Sequence, residues 1–262
     1  MKYVMLLCLP VVAALMVWQF LAQPPAPHDA SPQERQVRAL VALDSSGRGR
    51  HGIVQGQVTM GLAGHDGGRA YSFTDKDSWV QVPSVPGLNP RRRDFLLSAW
   101  VRLQTAPGPG ETYDVVRKGL GFTLPGEFKL EVLHQGWVRC SAKDRQGRLA
   151  VVSGQEVDVT DGEWHRLGCA RVGGLWGVVV DETITSKPVT LGSVKNTVAL
   201  AIGSKYGLED RPEGRIDDVR FAASPAAETE QLDLATVVRE LELRKPAGWW
   251  RLDESATDAV EG

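Results

Sequence analysis

The sequence has few cysteines, few histidines and no excess of charge. Three Cys in 262 residues can neither build a disulfide scaffold nor supply a four-thiolate zinc site. The five His stand without partners at zinc-ligand spacing. Thirty Lys and Arg face 32 Asp and Glu, for a formal charge of −2, so the basic excess of a nucleic-acid binder is missing. No Gly-x-Ser-x-Gly nucleophile elbow occurs, and no 20–50-residue period runs through 37–224. Disorder is excluded too, because 42% of the residues are hydrophobic. What the chain does have is 28 Gly, 15 Pro and 8 Trp, the last against 6 Phe and 4 Tyr. The Gly and Pro excess points to a globular domain with many turns between short elements.

The head of the chain differs from the rest. Residues 3–22 form a twenty-residue run with one polar member, Gln19. That length spans a bilayer as a helix and exceeds the usual apolar core of a secretory signal. Trp18 and Phe20 sit near its far end, where aromatics favour the membrane interface. Residues 1–22 are therefore expected to be a signal anchor or a cleaved signal peptide. The segment QPPAPHDASP opens a Pro-rich tether over 23–36. On either reading the rest is exported, either membrane-anchored with an extracytoplasmic domain or secreted.

From residue 37 the pattern is that of short strands. YSFT (71–74), SWVQVP (78–83), FLLSAWVRL (95–103), DVVRKG (114–119), FKLEVL (128–133) and WVRCSAK (137–143) are followed by RLAVVSG (148–154), WHRLGCARV (164–172), LWGVVVDE (175–182), TVALAIG (197–203) and IDDVRFA (216–222). Such runs, bounded by Gly, Pro, Asp and Asn, predict an all-β sandwich. The continuous valines 178–180 suit a strand covered on both faces. DRQGR (144–148) and ARVGGLW (170–176) place Gly where hairpins need positive φ. One segment, 227–244, carries Leu234, Val237, Val238 and Leu241 at helical spacing and predicts a helix ended by Pro246 and Gly248.

Several motifs then fall in a familiar order. DSSGRGRHG (44–52), RAYSFTDKDSWVQVP (69–83), FLLSAWVRL, DGEWHRLGCARVGGLWGVVVDE (161–182) and LAIGSKYGLEDRPEGRIDDVRFA (200–222) together resemble laminin-G-like domains of the concanavalin-A-like class. The resemblance covers residues 40–222. It implies an antiparallel two-sheet jelly-roll sandwich over 37–224, with one N-terminal membrane helix and one C-terminal helix. The family's opening Trp-x-Leu-Asp-Glu strand is missing before the DSSG turn. Its pattern occurs instead in WWRLDESATD (249–258). Residues 225–262 are accordingly read as a helix plus a strand, bearing Trp250, Leu252 and Glu254, that completes the sheet from the other end. A truncated second repeat is the competing reading.

The chemistry is sparser than the fold. Glycosidases of this class carry alternating carboxylates on one strand. EVDVTD (156–161) comes near, but Asp161 is out of phase with Glu156 and Asp158. His165 reads as a structural histidine at a strand start. The resemblance implies a calcium ion, and Asp44 with Asp218 is the expected pair of ligands. Among the tryptophans, Trp79, Trp100, Trp164 and Trp176 fall on core or near-core positions of the family. Trp137, after a loop, is the remaining candidate for ligand contact. Cys140 and Cys169 lie on what reads as the first and third strands of one meander, too far apart to bridge, so two buried free thiols are expected. Arg91, Arg92 and Arg93 form a short positive cluster, read as a solvated loop with anionic-polysaccharide contact as a second reading. The expected function is an exported or membrane-anchored non-catalytic binding module for a carbohydrate or an extracellular protein. A glycoside hydrolase of the same fold and a structural accessory domain of a surface complex are the alternatives.

Overall fold

A strand that alternates apolar and polar residues must bury one face, and two such sheets can bury theirs against each other. The computed structural model describes residues 40–75, 77–120, 125–155, 157–224 and 233–253, and it shows that arrangement. One sheet, here sheet A, has the order β1-β2-β5-β14-β7-β8-β9-β10. Its strands are β1 (Val41–Ala42), β2 (Gly52–Gln55), β5 (Trp79–Val82), β7 (Thr112–Lys118), β8 (Glu127–Leu133), β9 (Val138–Lys143), β10 (Leu149–Gly154) and β14 (Leu200–Ile202). Sheet B has the order β13-β12-β11-β6-β15-β4-β3. It is built from β3 (Thr59–Ala63), β4 (Arg69–Ser72), β6 (Phe95–Leu103), β11 (Trp164–Val172), β12 (Leu175–Val180), β13 (Thr183–Pro188) and β15 (Gly214–Ala223). A short β16 (Gly248–Trp250) pairs antiparallel with β15. All pairings between these strands are antiparallel. The membrane segment and tether expected over 1–36, and Glu254, lie outside the described residues. Among the described residues no helix is long and apolar enough to cross a membrane.

The core lies between the sheets. Leu97, Ala99 and Val101 of β6 meet Phe128, Leu130 and Val132 of β8 in a single buried cluster that also holds Trp176 and Trp250. A second, smaller cluster lies on the outside of sheet B. There α1 (Leu234–Leu243) covers Leu96, Ala170, Val179 and Ala222 with Leu234, Val237, Val238 and Leu241. This explains the valine run of β12. Val178 and Val180 face the main core, while Val179 faces the helix. Asp233 caps the helix by accepting the N–H of Thr236 at 3.3 Å. Residues 227–232, at the start of the expected helix, lie outside the described residues.

The two cysteines do not behave as the meander reading expects. Cys140 and Cys169 form a disulfide, with Cα atoms 5.5 Å apart. The meander stops at β10. The chain then crosses to sheet B, so β9 and β11 face each other across the core instead of lying two strands apart in one sheet. A bridge closing 29 residues constrains the unfolded chain by about 3–4 kcal/mol. Here it staples one sheet to the other.

Candidate binding surface on the outer face of sheet B

The period-two pattern of β6 sets up the surface. Leu97, Ala99 and Val101 point into the core, so Ser98, Trp100 and Arg102 must point out. Register places Arg166 of β11 and Asp217 of β15 on either side of Trp100. Trp164 and Arg215 flank Arg102 in the same way. The helix covers only the Leu96 end of this outer face. The other end carries aromatic and guanidinium groups.

His65, in the turn between β3 and β4, lies flat on Trp100. The ring centroids are 4.4 Å apart and the planes differ by 14°. Trp164 meets the same imidazole edge-on at 6.2 Å. Buried Asp217 fixes the histidine, because its Oδ2 accepts the backbone N–H at 3.0 Å and contacts Nδ1 at 2.8 Å. Burial raises the Asp217 carboxyl above its ordinary pKa, and the contacts with His65 offset only part of that. Asp66 completes a group of three possible metal ligands with His65 and Asp217. Asp217, however, already serves His65 twice and the N–H of Asp218 once.

Trp249 extends the surface through β16. It sits opposite Arg220, whose guanidinium lies 5.0 Å from the indole centroid, and Arg251 stacks at 5.7 Å. A register shift between Asp217 and Arg220 bulges β15 and puts Asp218 at φ 45°. From there the Asp218 carboxylate accepts the indole N–H of Trp249. A hollow of about 190 Å³ between Trp100, Arg166, Asp218, Arg220 and Glu242 separates this group from the end of the helix. Trp100, Trp164 and Trp249 are all half-buried. Flat aromatic surface beside fixed donors suits a sugar ring or the anchor region of a protein interface.

The expected calcium pair comes together on Trp249 in another role. Asp44 Oδ1 accepts the backbone N–H of Ser46 and of Trp249, each at 3.0 Å. Its Oδ2 accepts the Ser46 hydroxyl at 2.8 Å and the Arg50 N–H at 2.9 Å. Burial works to raise the Asp44 pKa, yet the hydrogen bonds from Ser46, Arg50 and Trp249 hold it below the usual carboxylate value. Calcium asks for six to eight oxygens with free lone pairs. Asp44 spends its acceptors on four donors and Asp218 serves the indole, so this pair does not fit the ion. Both aspartates instead hold the C-terminal strand in place. Trp137 follows the β8–β9 turn and is half-buried, with no ring contact among the described residues.

Trp100 and Trp164 are half-buried, at the near-core edge of the positions the family resemblance implies, and the phase of β6 shows that Trp100 points outward. In FLLSAWVRL the apolar residues 97, 99, 101 and 103 share one parity, and Trp100 has the other. Trp176 and Trp250 are fully buried, and their indole N–H groups bond to the carbonyls of Cys140 and Arg50.

Among the described residues of 156–161, the carboxylates are engaged locally. Glu156 lies outside the described residues, and Asp158 accepts two bonds from Thr160 within a turn. Asp161 and Asp181 bracket His165 at 3.1 and 2.9 Å. A carboxylate pair on the outer face of sheet A has its pKa values driven apart. Asp114 of β7 sits opposite Glu131 of β8. Burial pushes the Asp114 carboxyl up to about 6 against the pull of Arg117 and Lys129. Burial works on Glu131 the same way, but Arg139 and Lys129 outweigh it and hold Glu131 low. Both carboxylates have no exposed surface, so a substrate has no route to them here.

A family model described as the concanavalin A-like lectin/glucanases superfamily matches residues 74–230. No curated protein matches the sequence. Solved structures share the fold at low identity. The binding domain of Paraclostridial Mosquitocidal Protein 1 aligns at a TM-score of 0.53 and 15% identity, over 71% of this chain and 47% of that one. The botulinum neurotoxin serotype D binding domain aligns at 0.54 and 10%, over 78% and 50%. The binding domain of botulinum neurotoxin DC, solved in complex with SialylT, aligns at 0.51 and 11%, over 77% and 52%. The chain thus spans about half the length of the structures it matches.

Proposed function

Because the chain belongs to the concanavalin A-like lectin/glucanase superfamily, it inherits a scaffold and not a site, and we propose that it works as a non-catalytic binding module. The observation that carries this reading is the His65–Trp100–Trp164 stack, open on the outer face of sheet B beside arginines. The most suitable ligand is a carbohydrate, whose apolar ring face packs on the side of Trp100 not covered by His65 while its hydroxyls meet the neighbouring guanidinium groups of Arg166 and Arg220. Binding-domain neighbours, one of them solved with SialylT, are in keeping with this choice. The absence of exposed surface on Asp114 and Glu131 argues against that pair as a hydrolase's carboxylates. We further propose that the domain is displayed outside a membrane on residues 1–36. The disulfide supports this, since such bonds persist in oxidising compartments.

A glycan array probed with the chain tests the reading, followed by titration of any hit with the Trp100→Ala variant. Binding without turnover, weakened at least tenfold by Trp100→Ala, is the expected result. If no glycan hit is weakened by Trp100→Ala, the outer face of sheet B is not the site. Hydrolysis of a bound glycan would replace the binding module with an enzyme, and silence on the array with capture of an extracellular protein would make the ligand a protein.

A further inference from the structure

A second surface, sharing no residue with the outer face of sheet B, carries chemistry that the first does not. At one end of sheet A, a groove of about 550 Å³ opens beside the ends of β5, β14 and β8. Arg91, Arg145 and Lys195 line it, all exposed, and among the described residues no acidic side chain does. Under its floor lies a fourth cation, the fully buried Lys118. The Lys118 ammonium donates to Ser84 Oγ (3.1 Å), Asn196 Oδ1 (2.9 Å) and the carbonyls of Asn196 (3.2 Å) and Val198 (2.7 Å). All of these partners are neutral, and burial alone pushes the Lys118 pKa down to about 8. A buried ammonium without a counter-ion is costly, and the three open cations above it add to the same field.

The floor is held rigidly. Asn196 donates its amide to the carbonyls of Lys118 and Gly126 at 3.1 and 2.8 Å, and its backbone N–H to Asn89 Oδ1 at 3.0 Å. A bridge between Arg91 and Val194 pins one wall. We infer that this groove is a binding site for the carboxylate or sulfate groups of an acidic saccharide. The volume falls in the range of small-ligand sites, and Val85, Pro86 and Pro125 supply an apolar wall for a sugar ring. The strands beside it are inner strands of sheet A, so there is no free edge on which an extended acidic peptide could add as a strand. Among the described residues, none of the large exposed apolar side chains lines it. The overall charge of −2 supplies no general attraction for polyanions, and the cations here act locally.

Calorimetry of the full chain with a heparin-derived hexasaccharide, with inorganic sulfate and with a polyglutamate peptide tests this. The hexasaccharide is expected to bind most tightly, and its affinity to fall as salt rises from about 50 to 300 mM, as exposed charges are screened. The double variant Arg145→Glu with Lys195→Glu, both exposed, should weaken it at least tenfold without moving the melting temperature. Trp100→Ala should leave it unchanged, which separates this site from the one proposed above. The inference is overturned if the double variant binds as the parent does, if salt has no effect, or if the hexasaccharide does not bind. Equal affinity for free sulfate would also overturn it, by showing a simple anion site, and tighter binding of polyglutamate would make the ligand an acidic peptide.

Discussion

The outer faces of the two sheets carry opposite solutions to the same problem. On sheet A, the charged residues Asp114, Arg117, Lys129, Glu131 and Arg139 gather into a network with almost no solvent contact at its centre. On sheet B, the helix covers one end with aliphatic residues and leaves Trp100, Trp164 and Trp249 half-open at the other. The polar face is closed, and the aromatic face is the accessible one. On these two faces, charge density alone therefore does not mark the accessible surface. A buried ion network is a structural commitment, because each member becomes costly once its partner is lost. A half-buried tryptophan stacked on a histidine keeps part of its surface open to solvent.

The contrast is sharpest at Glu131. Glu131→Ala removes the shared partner of Lys129, Arg139 and Ser141. It should cost about 3–5 kcal/mol in denaturant unfolding, against about 1–2 kcal/mol for Trp100→Ala, which loses mainly its stack with His65. Similar losses for the two would dissolve the distinction between a structural face and a binding face. Breaking the disulfide comes next, since Cys140 and Cys169 join the sheets that carry these two faces. Chemical unfolding with and without reductant should differ by about 3–4 kcal/mol. A difference under 1 kcal/mol would mean that the sheets hold together without the staple.

The smallest effect belongs to His165, on the core side of β11. Burial lowers its pKa, but the hydrogen bonds and charges of Asp181 and Asp161 outweigh burial and raise it. A raised folded-state pKa makes the stabilisation complete below the unfolded value of about 6.5, and it is lost as pH climbs through the folded value. Both aspartates are well exposed, so screening limits the effect to under about 1 kcal/mol. The melting temperature of the parent should fall slightly between pH 6 and 8.5 relative to His165→Gln, and a relative rise would reverse the sign of the interaction.

Local pattern carried much of the architecture. Strands such as FLLSAWVRL and WHRLGCARV form where alternation and Gly-bearing turns put them, since side-chain parity needs only the neighbouring residues. The strands β1 and β2 are too short to show alternation in the sequence, and β3 and the polar β13 bury little of their own surface and depend on pairing partners. The candidate surface is half-visible in the sequence. Parity sends Trp100 outward, but the stacking partner His65 lies 35 positions earlier, in a turn with no pattern of its own.

By itself the sequence determined strand parity, the hairpin glycines, the amphipathic helix and the two-faced valine run of β12, because each depends on contacts within a few residues or on which face meets water. Only the tertiary structure decided which sheet each strand joins, and with it the pairing of Cys140 with Cys169. It also decided that Asp44 holds Trp249 across 205 positions instead of an ion, and that the neutral oxygens of Ser84, Asn196 and Val198 surround Lys118 beneath a cationic groove. These are meetings between segments far apart in the chain, and the register of two whole sheets sets them.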